Sequence, residues 1–374
     1  MIFYFLTYST KQKRGIEMNL TENKKTLALS GAILGVIAVV LAAMGNPKNM
    51  AICVACFIRD IAGATKLHTA AVVQYMRPEI VGFVVGAFLI AIITKEFSAT
   101  AGSSPMIRFI LGVIMMIGSL VFLGCPLRMV IRMSAGDLNA YVALIGFAAG
   151  VFTGSIALKK GFSLGRSYVI DKASGYVLPI VLVVLLVLSV TTTLFAASES
   201  GPGSMHAPVL VAFAGALIFG ALSQRVRTCF AGSLRDVFIM KNFDLLTIIG
   251  GFFAVMVVFN IVNGSFNLSF AGQPVAHSQH IWNILGMYAV GFAAVLAGGC
   301  PLRQLILAGQ GSVDSAVTFL GLLVGAAFCH NFGLAGAAAS AESAGGPGIN
   351  GQVALIACIV VLFIIGFAPK KKAS

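Results

Sequence analysis

Gly124-Cys125-Pro126-Leu127-Arg128 recurs as Gly299-Cys300-Pro301-Leu302-Arg303, at an offset of 175 residues. Gly136 and Gly311, and Gly146 and Gly321, keep that offset, so the register holds beyond the motif. Chance does not repeat an intact pentapeptide in this way, and the chain is therefore an internal duplication. Upstream, Cys56-Phe57-Ile58-Arg59-Asp60 is read against Cys229-Phe230 and Arg235-Asp236, with three extra residues between Phe and Arg in the second copy. Proline suits the first position of a helix, where its missing N–H would have no partner. Glycine before the cysteine permits a tight entry turn, so each Gly-Cys-Pro predicts a helix start with the cysteine at the N-cap. Segments 126–135 and 301–310 are too short to cross a bilayer, so re-entrant helices are expected.

The sequence around these segments is a series of long apolar runs. Of 374 residues, 59% are hydrophobic and 10% charged, and mean hydropathy is +0.98. A soluble domain carries about 25% charge and cannot hide this much apolar surface. The runs are continuous rather than alternating, which excludes a β-barrel. The fold class expected is an all-α polytopic membrane protein with about ten transmembrane helices, at 27–44, 79–94, 107–123, 140–158, 176–197, 207–222, 245–262, 283–298, 315–338 and 352–368. Four spans form each repeat, and the span at 176–197 lies between them. That odd linker inverts the second repeat relative to the first, an arrangement that places sites where broken helices meet near the membrane midplane. The divisions expected are an N-terminal segment (1–26), repeat 1 (27–158), a linker with one span (159–206), repeat 2 (207–338), and a final span with a basic tail (339–374).

The 25 Lys and Arg outnumber 12 Asp and Glu, for a net charge of +13. Nineteen of those cations fall in segments that are cytoplasmic if both termini are, so the charge reads as topogenic and not as a nucleic-acid surface. The other six, Lys48, Arg59, Lys66, Arg77, Arg128 and Arg132, lie in loops 45–78 and 124–139, beside the motifs. Residues 1–17 look like neither a signal nor a transit peptide, because their basic residues follow the apolar stretch, and Met18 is an alternative start.

At Cys125 and Cys300 a thiol, the positive end of a helix and, three residues on, Arg128 or Arg303 converge. Such a site favours an anion, and an ionisable group at membrane depth is costly enough to imply use. Cys56 and Cys229 are the upstream pair, while Cys53, Arg59, Asp60, Arg235 and Asp236 are secondary candidates. Cys53 and Cys56 form a C-x-x-C, but no second such motif or clustered histidine accompanies it, so neither metal nor cofactor is expected. Cys329 and Cys358 have no repeat partner and read as packing residues, and His68, His206, His277 and His280 as loop residues. Asp137 and Asp314 read as loop caps. There is no P-loop to drive an ATP-dependent carrier, and the spans hold almost none of the carboxylates a cation pump would need. Thiols are soft and polarizable, so they suit a sulfur or selenium atom, with the helix ends and arginines attracting its charge. A small sulfur- or selenium-containing anion is therefore the expected substrate.

These motifs resemble the YeeE/YedE family of sulfur-transport membrane proteins. The stretches Gly45-Asn46-Pro47, Cys53-Val54-Ala55-Cys56-Phe57-Ile58-Arg59-Asp60-Ile61-Ala62-Gly63 and Gln74-Tyr75-Met76-Arg77-Pro78-Glu79-Ile80 are similar to its YedE branch, associated with selenium. The resemblance implies an inner-membrane permease, not an enzyme, that passes a thiosulfate-type anion along a line of cysteines. By motif these are Cys125 and Cys300, with Cys56 and Cys229 upstream. Two alternatives remain. One is a thiol-based sulfur or selenium transferase acting at Cys53 or Cys56, and the other a scaffold that docks a soluble sulfur-carrier protein on loops 159–175 and 223–244.

Overall fold

The structure, a computed structural model, describes residues 23–47 and 49–368. Met18, Lys48 and the lysines at 370–372 lie outside the described residues. Fourteen helices among the described residues carry the architecture. They are α1 (Lys24–Ala43), α2 (Val54–Ala64), α3 (Pro78–Ile93), α4 (Pro105–Phe122), α5 (Pro126–Ser134), α6 (Leu138–Lys159), α7 (Lys172–Thr191), α8 (Val209–Arg225), α9 (Phe230–Met240), α10 (Asp244–Val262), α11 (His280–Ala297), α12 (Pro301–Gly309), α13 (Val313–Asn331) and α14 (Ile349–Phe367). Among the described residues, nine helical stretches are long and apolar enough to cross a membrane, and α3 is a shorter apolar helix. With α2, α5, α9 and α12 set apart as short helices, ten spans remain, those read from the sequence. The chain is an all-α, multi-pass membrane protein.

Helix contacts occur in exchanged pairs. α1 packs on α10 and α8 on α3; α4 packs on α13 and α11 on α6; α4 and α11 meet each other. With α1 matched to α8, α3 to α10, α4 to α11 and α6 to α13, this is the pattern a two-fold axis produces. The short helices follow it, with α2 on α13 and α12, and α9 on α6 and α5. Direction is fixed by bonds at the loops. Asn46, just past the end of α1, accepts from the Ala207 amide just before α8 (2.9 Å), so α8 starts where α1 stops and the repeats are inverted. One end of the bundle collects 44–47, 49–53, 65–77, 135–137, 192–208, 263–279 and 332–348, joined by bonds such as Asn267 N–H to Ala135 O and Asn331 to Leu67 O. The other collects 94–104, 160–171, 226–229 and 310–312, joined by Ser98 N–H to Gln310 O and Arg225 to Glu96.

The two Cys-Pro helices each return to the end they come from. Arg128, in the first turn of α5, donates to Val275 O, and Ala135 past its last turn accepts from Asn267, so one loop holds both ends. For α12, Ala297 just before it accepts from Arg108 (3.2 Å), and Gln310 just after it accepts from Ser98. Both partners belong to the 94–108 region.

Every residue of α2 is buried, as are all of α5 except Met133. These short helices form the centre, and the spans wrap around them. α7 buries only Gly175, Pro179 and Leu182, and its exposed Val, Ile and Leu face is one a bilayer covers. Close approach between spans rests on small residues. A Cβ on Gly146 of α6 would stand 2.0 Å from the Ile284 carbonyl oxygen of α11, and one on its repeat counterpart Gly321 2.2 Å from that of Phe109. Gly146→Ala is therefore expected to push α6 from α11 and cost about 1–3 kcal/mol, as overpacking does. Gly250→Ala, which meets nothing within 4 Å, is expected to leave thermal unfolding in detergent unchanged or slightly raised.

Candidate functional site: two thiol clusters at converging helix ends

The break between α4 and α5 follows from three side chains. A helix end leaves carbonyls without partners. Here Val121 O accepts from the His277 ring (2.8 Å), Phe122 O from Arg132 (2.9 Å), and Leu123 O from Arg128. Burial pushes the His277 imidazole down to about 4, so the ring stays neutral and donates through Nε2. Leu123 itself takes a left-handed conformation (φ 65°), as does its counterpart Gly298 (φ 83°). The sequence reading gave the turn to Gly124 and Gly299, but neither has a positive φ. They are glycines for another reason: a Cβ would stand 2.8 Å from Cδ of Arg128 and 2.7 Å from Cγ of Arg303. Glycine and arginine in the pentapeptide are thus one device, an arginine folded back over the start of its own helix.

Cys125 and Cys300 are N-caps with proline next, as expected. Two further cysteines cap the other short helices. Cys53 caps α2 and accepts from the Cys56 amide (3.4 Å), and Cys229 caps α9 and accepts from the Gly232 amide (3.1 Å). The upstream alignment is corrected accordingly. Cys229 corresponds to Cys53, not Cys56, at an offset of 176 that also relates Ala55 to Ala231, Arg59 to Arg235 and Asp60 to Asp236, with no inserted residues. Cys56 stands where the second repeat has Gly232.

Cap meets cap in both repeats. The sulfurs of Cys53 and Cys125 are 3.8 Å apart, and those of Cys229 and Cys300 3.9 Å apart. Each pair brings together the positive ends of two helices, which is an anion-attracting arrangement with sulfur at its focus. Around the pairs the two ends differ. In the first, Cys56 adds a third sulfur 3.1 Å from that of Cys53, and Arg128 Nη1 lies 3.4 Å from it. Arg128 also donates to the carbonyls of Asn49 (2.9 Å), Val275 (3.0 Å) and Leu123, which satisfies its fork. Cys53, Cys56 and Cys125 are at most 1% exposed, sealed by loops that carry left-handed Asn49, Ala51 and Val275.

The second cluster opens into a cavity of about 420 Å³ lined by Arg227, Cys229, Arg235, Asp236, Asp244 and Arg303 among others. Here Nη1 of Arg303 is buried with no hydrogen-bond partner. Gln304 donates to the carbonyls of Ala297 and Gly299 (both 3.1 Å); the counterpart of the first, Phe122 O, is held by Arg132 in the first repeat. Asp244 is not singled out by the sequence, and Arg227 enters there only as a topogenic cation and as part of loop 223–244, offered to a carrier protein.

The secondary candidates divide. Arg59 and Asp60 follow Cys56 by about one turn of α2 and pair with each other (2.8 Å), and Asp60 also takes Nε of Arg77 (2.7 Å). Arg77 donates to Pro202 O and Met205 O and lies over the Phe57 ring. This buried group pins α2 to the start of α3 and the 198–208 loop. Arg235 and Asp236 pair at 2.8 Å on the cavity wall. Asp137 caps α6 and neutralises Arg132 (2.6 Å). Asp314 is not its structural counterpart, since that place is held by Ser312, the cap of α13. Asp314 instead accepts from Ser167 (2.7 Å) and the amides of Gly102 and Ser103. No group of three or more His, Cys, Asp or Glu among the described residues has metal-holding geometry.

Residues 225–370, which hold Cys229, Cys300 and Arg303, match the sequence profile of the family described as sulphur transport. Through this second half, the chain is similar to the sulphur transport family. A relative described as thiosulfate transporter TsuA, of Escherichia coli (strain K12), is 31% identical over 114 residues, 29% of this chain and 30% of that protein. The aligned part thus spans under a third of the relative's length. The first repeat, outside the matched residues, carries the same pentapeptide and the same cap geometry.

Proposed function

We propose that the chain is a permease for a small sulfur-containing anion of thiosulfate type, or a selenium compound of similar size and charge, in the cell inner membrane. The observation that carries this reading is the cap-to-cap meeting of thiols at both clusters. Each cluster offers a thiol pair to a soft sulfur atom and two helix ends to its charge. Repeats 27–158 and 207–338 would form the two halves of the path, with Cys53, Cys56, Cys125 and Arg128 lining one and Cys229, Cys300 and Arg303 the other. The relative's description supports the substrate class. The excess of basic residues supports a cytoplasmic 226–243 end with both termini on that side, and a soluble sulfur carrier would receive the anion there. Radiolabelled thiosulfate is expected to enter proteoliposomes holding the purified protein faster than protein-free vesicles. Competition by unlabelled selenite, but not by sulfate, would place selenium in the substrate range. Uptake no faster than in empty vesicles, from folded protein, would contradict the reading.

A further inference from the structure

The two clusters share their cap thiols and differ at one position of α2 and α9. Cys56 follows Cys53 by three residues, while Gly232 follows Cys229. A symmetric conduction path has no need of that extra sulfur. Its placement is specific: the sulfurs of Cys53 and Cys56 are 3.1 Å apart at the start of a helix, with a guanidinium nitrogen of Arg128 at 3.4 Å. Two thiols three residues apart share one helical face, and the helix N-terminus with a cation alongside offsets part of the cost that burial places on a thiolate there. A disulfide needs the sulfurs to close to about 2.05 Å, a movement of about 1 Å. The cap pair Cys229 and Cys300, at 3.9 Å, has no such near partner within its own helix start.

We propose that Cys53 and Cys56 are a redox dithiol that reduces a linear sulfur-chain dianion such as tetrathionate and, once closed to a disulfide, blocks the path. This rests on the permease reading in one respect, that the dianion reaches the sealed cluster by the route the thiosulfate-type anion takes. One thiolate attacks a central sulfur of tetrathionate; the central S–S bond breaks, one thiosulfate leaves, and the cysteine carries a thiosulfate adduct through a new S–S bond. The second thiolate attacks the cysteine sulfur of that adduct, forms the Cys53–Cys56 bond and releases the second thiosulfate. Two electrons pass from the dithiol to tetrathionate, two protons are released, and both products belong to the proposed cargo class. The closed pair removes two S–H groups from the cluster and leaves Cys125 as its only thiol. In the orientation proposed above this cluster faces the extracytoplasmic side, where disulfides persist.

The test uses the full-length protein in proteoliposomes, reduced, freed of reductant, and exposed to tetrathionate. The expected results are two thiosulfates released per chain, loss of two hydrogens' mass from the peptide holding Cys53 and Cys56, and thiosulfate uptake reduced to background until a thiol reductant restores it. In Cys56→Ser the reaction is expected to stop half way, with one thiosulfate released and an adduct trapped on Cys53. An intact pair of thiols after treatment, or a bond joining Cys53 to Cys125 instead, would overturn the assignment. If the reduced wild type shows no uptake yet the bond forms with release of thiosulfate, the dithiol stands and the permease reading falls. Uptake without bond formation sinks the dithiol alone.

Discussion

Asp60→Ala is expected to cost about 3–5 kcal/mol and most of the yield of monodisperse protein. Asp60 is fully buried and its two oxygens hold Arg59 (2.8 Å) and Arg77 (2.7 Å). Removing the carboxylate leaves two cations with no counter-charge in a closed environment, and breaking a buried ion pair in that way is strongly destabilising. The equivalent change in the second repeat, Asp236→Ala, is expected to cost about 1 kcal/mol or less. Its partner Arg235 has a side chain 32% exposed, so solvent compensates it. Thermal unfolding of the two variants in the same detergent checks the contrast. An Asp60→Ala protein as stable as wild type would show that Arg77 is held by the carbonyls of Pro202 and Met205 and by the Phe57 ring alone.

The second large effect separates the two motif arginines. Arg128→Ala removes the donor to three carbonyls on three segments and is expected to destabilise by about 3 kcal/mol, because each orphaned buried acceptor carries a desolvation cost of about 1–3 kcal/mol. Arg128→Lys should rescue little, since one ammonium cannot reproduce the fork. Arg303→Ala is expected to lower stability far less, because Nη1 has no protein partner to lose. Its effect should appear in transport: a charge-assisted contact of about 1.5–3 kcal/mol corresponds to a KM raised roughly tenfold to a hundredfold. Unfolding curves and uptake kinetics on both variants decide it. Equal loss of stability in the two would contradict the division of labour described for the clusters.

Much of this was legible in the residues. The ten spans follow from apolar run length, and inversion follows from the odd linker span. The caps at Cys125 and Cys300 follow from proline at the first helical position. What failed was the upstream alignment. Matching Cys-Phe to Cys-Phe forced an insertion, whereas α2 and α9 are both eleven residues long and superpose without one. Identity of a dipeptide was a weaker signal than the constant offset of Arg59-Asp60 and Arg235-Asp236 to Cys53 and Cys229. The role of Gly124 and Gly299 was also misassigned, because a glycine needed for space and one needed for a left-handed turn look alike in sequence. The difference between Arg128 and Arg303 could not be read at all. It depends on Asn49 and Val275, which are 79 and 147 residues from Arg128, whereas Nη1 of Arg303 has no such carbonyl in the second repeat.

The central claim is that an anion passes both thiol pairs in turn. Its most direct test is uptake of radiolabelled thiosulfate by proteoliposomes holding wild type, Cys125→Ala or Cys300→Ala, each shown to be folded and equally incorporated. The account predicts uptake by wild type and background rates for both variants, because the loss of either cap thiol interrupts the same path. Wild-type rates in either variant would contradict it.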